Sequence, residues 1–193
     1  MAFAAPPELA AWRHRDARDG FEVVFLRAAG GGYQLDGHTA AVEDGEAWAV
    51  RYRITLDGAW RTRSARVSGR SASGESALAV DADGSGGWRV NGAAAPELDG
   101  CLDVDLESSA CTNAFPVHRL GLRVGQEADA PAAYIRALDL SVERLEQRYL
   151  RMEDDGTRQR YDYTSPAFGF RALLVYDESG LVLDYPGIAV RAA

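Results

Sequence analysis

A two-residue hydrophobic period that keeps returning is the strongest constraint on this chain. Trp48, Val50, Tyr52, Ile54 and Leu56 alternate with Ala49, Arg51, Arg53 and Thr55, a pattern that gives a strand one face for a core and one for water. Asp57-Gly58 follows at once. That dipeptide favours a tight turn with positive φ, so residues 60–67 are read as the partner strand of a hairpin. Similar runs occupy residues 22–28, 33–41, 76–81, 88–91, 98–107, 117–124, 132–137, 157–164, 168–176 and 181–190. Glycine- and aspartate-rich turns separate many of them, which predicts short connections and antiparallel neighbours. One stretch breaks the rule: Leu138, Val142, Leu145, Tyr149 and Met152 recur at helical spacing, so 141–152 is predicted as a short amphipathic helix capped by Ser141. A helical turn running into a strand over 147–152 fits equally well.

About a dozen strands exceed the roughly ten at which a twisted open sheet curls, splits or flattens. Two architectures satisfy that count. A sandwich would fill itself with side chains; a single sheet rolled into a wide barrel would leave room inside unless large side chains or a helix plug it. The expected fold is all-β: residues 1–193 as one domain, a single large, strongly curved antiparallel sheet rolled into an incomplete barrel, with at most one short helix. At 193 residues and 47% apolar content the chain buries enough surface to fold without disulfides or structural metal. No run of about 18 apolar residues occurs, so stable membrane insertion is not expected. All 21 basic residues are arginine, set against 29 acids for a net charge of −8. That balance argues against nucleic acid as a partner and against a uniformly basic surface, although a local arginine patch stays open. Residues 1–12 lack the basic and apolar regions of a secretory signal, so a cytoplasmic location is expected, and Cys101 and Cys111 are read as free thiols. An exposed edge strand would favour a homodimer.

The stretch Leu98-Asp99-Gly100-Cys101-Leu102-Asp103-Val104-Asp105-Leu106, followed by Cys111-Thr112-Asn113-Ala114-Phe115-Pro116-Val117-His118-Arg119-Leu120, resembles the glycolipid-binding family of bacterial proteins. Gly20-Phe21-Glu22, Trp60-Arg61-Thr62-Arg63, Gln147-Arg148-Tyr149, Tyr161-Asp162-Tyr163 and the run from Leu181 to Gly187 match in order over nearly the whole chain. The resemblance implies a curved antiparallel sheet like those of carriers that hold lipid in a half-open barrel. Two positions depart from the family pattern: Ala114-Phe115 replaces a Thr-Leu type pair, and His118 stands where arginine is usual. A neutral histidine there would weaken any anionic headgroup contact.

Asp103 and Asp105 share one strand face about 7 Å apart. They would either close a ligand cavity, accepting hydrogen bonds from sugar hydroxyls, or form a solvated outer face; the scarcity of unpaired buried acids weighs toward the second. Asn113 lies in a loop that is either a fixed turn or a lip at the cavity mouth. Arg61 and Arg63 point inward if the Asp57-Gly58 turn is strict and outward if a bulge intervenes; the inward register would pair one of them with the acidic strand. His118, Arg119 and Tyr163 complete the candidate ligand-binding set. No metal spacing, phosphate loop or nucleophile motif is present, so no metal or cofactor is expected. The leading expectation is non-enzymatic binding of a glycolipid or related amphiphile. The alternatives are a lipid or sugar hydrolase using Asp103, Asp105 and His118, and a β-sandwich serving a protein interface.

Overall fold

The structure, a computed structural model, describes residues 3–193. In chain order its strands are β1 (Leu9–His14), β2 (Asp19–Ala29), β3 (Gly32–Glu43), β4 (Glu46–Leu56), β5 (Thr62–Ser71), β6 (Gly74–Ala82), β7 (Trp88–Val90), β8 (Ala93–Ala94) and β9 (Asp103–Leu106). After a helix, α1 (Ala114–Leu120), come β10 (Glu127–Asp129), β11 (Ala132–Ile135), β12 (Val142–Leu145), β13 (Arg148–Arg151), β14 (Gln159–Ser165), β15 (Phe170–Tyr176), β16 (Val182–Tyr185) and β17 (Ala189–Arg191). Fourteen of these form one antiparallel sheet in the order β10-β13-β14-β15-β16-β17-β1-β2-β3-β4-β5-β6-β7-β8. Its edges, β10 and β8, do not pair with each other, so the expected incomplete roll forms rather than a sandwich. The long strands β2 to β6 follow their period-two sequences, with Val50, Tyr52, Ile54 and Leu56 buried and Arg51 and Arg53 exposed.

A three-stranded sheet, β12-β11-β9, with β9 parallel to β11, sits against the roll. It grows out of the large sheet. The β10–β13 pairing, Asp129 with Arg148, resumes in the same register as Ala132 with Leu145 beyond Pro131. Proline has no N–H to donate there, and the ladder is carried by Ala130 N–H bonding Gln147 C=O at 2.8 Å.

Three local expectations are overturned. Residues 141–152 are not a helix but β12 and β13, so the strand alternative over 147–152 is the one taken; a spacing of four keeps side chains on one face of a strand as well as of a helix, so Leu145 and Tyr149 satisfy both patterns. Residues 117–124 are not a strand: α1 occupies Ala114–Leu120 and stops at Gly121, which takes a left-handed φ of 54° as its C-cap. Within 98–107 only Asp103–Leu106 is strand, and it is buried on both faces, so the acids at 103 and 105 do not face solvent. The sequence pattern does not mark β1, β8, β10 or β12, and the run 181–190 is two antiparallel strands, β16 and β17, rather than one.

The roll is also less hollow than its strand count suggests. From Cys101 to Val117 every residue but Leu102 and Glu107 is buried: the signature stretch runs through the interior as a plug. It splits the core in two. On the β1–β8 side lie Trp12, Trp48, Trp60 and Trp88 among aliphatic side chains. On the β13–β16 side lies a tyrosine cluster, Tyr149, Tyr161, Tyr163, Tyr176 and Tyr185.

Candidate functional site

The plug's backbone and polar side chains need partners inside the roll, because an unpaired buried polar group costs about 1–3 kcal/mol. The β2–β5 wall supplies several. Glu22, fully buried and without a cation partner among the described residues, accepts hydrogen bonds from Tyr52 Oη (2.6 Å), Ser109 Oγ and the Ala110 N–H (2.8 Å). Burial pushes its carboxyl up to about 7. Thr39 Oγ1 donates to Ser108 C=O at 2.7 Å, and Thr62 Oγ1 accepts from the Val104 N–H at 2.9 Å. Glu22 lies in the matched Gly20-Phe21-Glu22, yet the sequence reading gave it no role. Its phase with Val24 and Leu26, both buried, is the signal that would have placed it inside.

The opposite flank holds the acidic strand. Asp103 is bound by Arg119, with Nε donating at 3.1 Å to one oxygen and Nη2 to the other; burial raises the Asp103 carboxyl while the guanidinium pulls it back down. Asp105, two residues on, has no cation partner among the described residues. Thr112 Oγ1 donates to its Oδ1 at 2.8 Å and Gln147 Nε2 to its Oδ2 at 2.5 Å. Burial, chiefly, lifts its carboxyl to about 6. Asn113 is held by Tyr149 Oη, which donates to its Oδ1 at 3.1 Å, and by Tyr176 Oη, which donates to its C=O at 3.2 Å.

Beside Asp105 the plug does not fill the roll. A pocket of about 310 Å³ opens between β9, Asn113 and the inner face of β14–β16, walled by Tyr134, Tyr163, Phe168, Phe170 and Tyr185. The rings form two groups: Tyr163 lies 6.0 Å from Tyr185 and 6.2 Å from Phe170, and Tyr134 lies 5.6 Å from Phe168, ring centre to ring centre. Arg136 stacks over Tyr134 and Phe168 and pairs with Glu107 and Glu143.

Of the anticipated residues, Asp105, Asn113 and Tyr163 therefore meet in one pocket. Asp103 and Arg119 form a buried pair next to it. The inward register of Arg61 and Arg63 is not taken. The turn after Leu56 is longer than two residues, Leu56 pairs with Thr62, and a bulge follows, so both guanidinium groups are outside, donating to Gly84 C=O (3.1 Å) and Asp83 C=O (2.5 Å). Arg119 fills the role imagined for them. His118 lines a different cavity at Trp60, on which it stacks at 3.6 Å with an angle of 5°; burial lowers it to about 4, so it is neutral at pH 7. The hydrolase constellation of Asp103, Asp105 and His118 is thus not assembled. Among the described residues no His, Cys, Asp or Glu cluster suits a metal, Cys101 and Cys111 are buried free thiols, and no helix is long and apolar enough to cross a membrane.

The sequence model of the family described as "Putative glycolipid-binding" matches residues 9–191. The chain belongs to that family. A solved structure of a DUF1089 family protein from Pseudomonas aeruginosa is similar over 100% of this chain and 97% of its own, with 34% identity and a TM-score of 0.77. A β-barrel-like protein of a domain of unknown function, DUF1849, from Brucella abortus is similar over 98% of this chain and 96% of its own. Its identity is 12% and its TM-score 0.53, a likeness of fold alone. No curated protein matches. The family therefore supports a binding role on a barrel-like sheet, and its long central motif is the plug and its anchors.

Proposed function

We propose that this protein binds the sugar headgroup of a glycolipid, without covalent chemistry, in the pocket around Asp105. The observation that carries the reading is a buried carboxylate with no counter-ion, fixed by Thr112 and Gln147 and opening onto an aromatic wall. A neutral polyol suits such a place: its hydroxyls donate to the carboxylate, and its C–H faces lie on the phenol rings. At about 310 Å³ the pocket is at the small end of ligand sites. It takes a sugar ring and leaves the acyl chains outside, which differs from the acyl-filled barrel expected from the strand count. A hydrolytic reading keeps one supporting observation, since Glu107 lines the same pocket as Asp105. Both acids lie at one end of a single strand, however, whereas glycoside hydrolysis sets carboxyls on either side of the scissile bond.

Titration calorimetry with octyl glycosides of several sugars tests the proposal. Binding by the wild type is expected for at least one sugar, weakened roughly tenfold or more in Asp105→Asn, as suits the loss of a charge-assisted hydrogen bond. Native mass spectrometry after incubation with total lipid extract should retain a glycolipid adduct. Recovery of empty protein from every lipid class, or equal affinity in Asp105→Asn, would overturn the assignment.

A further inference from the structure

The outer face of β1 and β2 carries apolar side chains that the core does not use. Phe21, Val23 and Phe25 follow one another on the solvent side of β2, since residues two apart point the same way, and Leu9 pairs with Phe25 from β1. Leu9, Phe21 and Phe25 are 47, 44 and 54% exposed. Beside this ridge a trough of about 750 Å³ crosses β3–β6, floored by the short side chains of Ala40, Ala49, Ser68 and Ala77. Three guanidinium groups flank the ridge. Arg13 pairs with Phe21, Arg27 continues β2 beyond Phe25, and Arg51 lies beyond His38, the partner of Val23. None of the three forms an ion pair among the described residues, although Arg27 also helps hold the Asp36 carboxyl low; Asp36 and Glu75 on the same face are engaged by Arg53 and Arg70, and exposed Asp19 lies at the far end of β2.

We infer that this face adsorbs reversibly to an anionic lipid bilayer, with Leu9, Phe21 and Phe25 entering the headgroup layer and Arg13, Arg27 and Arg51 meeting lipid phosphates. Apolar side chains ringed by basic ones are the signature of interfacial binding, and each arginine beside an anionic surface raises partitioning roughly fivefold. A second copy fits less well. A two-fold interface sets the same patch against itself and would bring two sets of guanidiniums together. The charge is local, because the protein as a whole carries −8, so attachment depends on this face being presented. The inference stands apart from the Asp105 pocket, to which such docking would bring a membrane-borne ligand.

Cosedimentation of the full chain with phosphatidylcholine vesicles, with and without phosphatidylglycerol, tests it. The expected result is pelleting with the anionic vesicles only, weakened by salt. Binding should fall roughly tenfold in Phe21→Ser with Phe25→Ser, and similarly in Arg13→Glu with Arg51→Glu. Both pairs lie on the surface, so circular dichroism and octyl glycoside titration should be unchanged, which separates loss of docking from loss of headgroup binding. Equal pelleting of wild type and the serine variant would overturn the inference. So would a dimeric wild type that becomes monomeric in that variant, which would give the face to a second copy.

Discussion

The two flanks of the plug each bury a carboxylate with no cation partner among the described residues, and they differ in what surrounds it. On the β2–β4 flank Glu22 receives a phenol, a hydroxyl and a backbone N–H, and packed tryptophan and aliphatic side chains seal it. On the β13–β16 flank Asp105 receives two side-chain donors and keeps lone pairs beside an open aromatic pocket. A buried acid is therefore not in itself a ligand site. Glu22 is a clasp that ties plug to sheet, whereas Asp105 has acceptor capacity to spare and open space beside it, which is why the proposal rests on it.

The sharpest way to break this contrast is to remove both acids. Glu22→Ala takes the shared acceptor from Tyr52, Ser109 and the Ala110 N–H and leaves a void in the packed core, so denaturant unfolding should show a loss of about 4 kcal/mol. Asp105→Ala should cost about half as much, because water from the pocket can serve Thr112 and Gln147. Equal losses would mean that the flanks are energetically alike. The next effect concerns the reach of Tyr52. Its ring crosses Gly37 to arrive at Glu22, and a Cβ on Gly37 would stand 2.0 Å from the ring. Gly37→Ala should destabilise by about 2 to 3 kcal/mol through overpacking, and should do so much less in a Tyr52→Leu background if the ring is the obstacle.

The same contrast explains what could be read from the sequence. Strands β2 to β6 were legible because one face meets the core and the other water, so the chain itself carries the alternation. The plug was not. Asp103 and Asp105 give β9 an amphipathic look, but their burial depends on Arg119 and Gln147, which are distant in sequence. Helix α1 is only seven residues long and its apolar content matches a buried strand equally well; Pro116 and Gly121 were its only local marks. Among the candidate residues, Asp105, Asn113 and Tyr163, singled out by resemblance and chemistry, line one pocket. The orientation of Arg61 and Arg63 stayed open between two registers because it turned on the length of a single turn, which shifts every following side chain, and the structure takes the bulged, outward one.

A smaller effect separates the two aspartates themselves. Asp103→Asn strips the charge from the partner of a nearly buried guanidinium, Arg119, and should cost about 2 kcal/mol. Asp105→Asn loses no ion pair and relieves an ionisation that burial disfavours, so its stability at pH 7 should stay within about 1 kcal/mol of the wild type while headgroup affinity falls. If the stabilities were reversed, Asp105 would be the structural acid and the pocket would lose its polar anchor.

The smallest expected effect is in the pH dependence of stability. Glu22 and Asp105 have folded values of about 7 and about 6, above their ordinary 4.5 and 3.8. Between those limits the folded state holds protons that the unfolded state has released, so both contribute stability at low pH that is lost as pH rises. His14 and His118, lowered by burial to about 4 from 6.5, act in the opposite sense: the unfolded chain binds their protons first, so stability falls as pH drops below 6.5. The windows overlap from 4.5 to 6, where Glu22 and Asp105, with Asp103 shifted in the same direction, oppose the two histidines, so the wild type should not gain stability with pH there. Glu22→Gln, which keeps an acceptor for Tyr52 but cannot ionise, removes one opposing group. Relative to the wild type, its stability should then rise with pH across that window by on the order of 1 kcal/mol per pH unit, measured from chemical denaturation at a series of pH values. A variant with the same pH dependence as the wild type would show that Glu22 ionises in its ordinary range, and that the sealed flank is wetter than its packing implies.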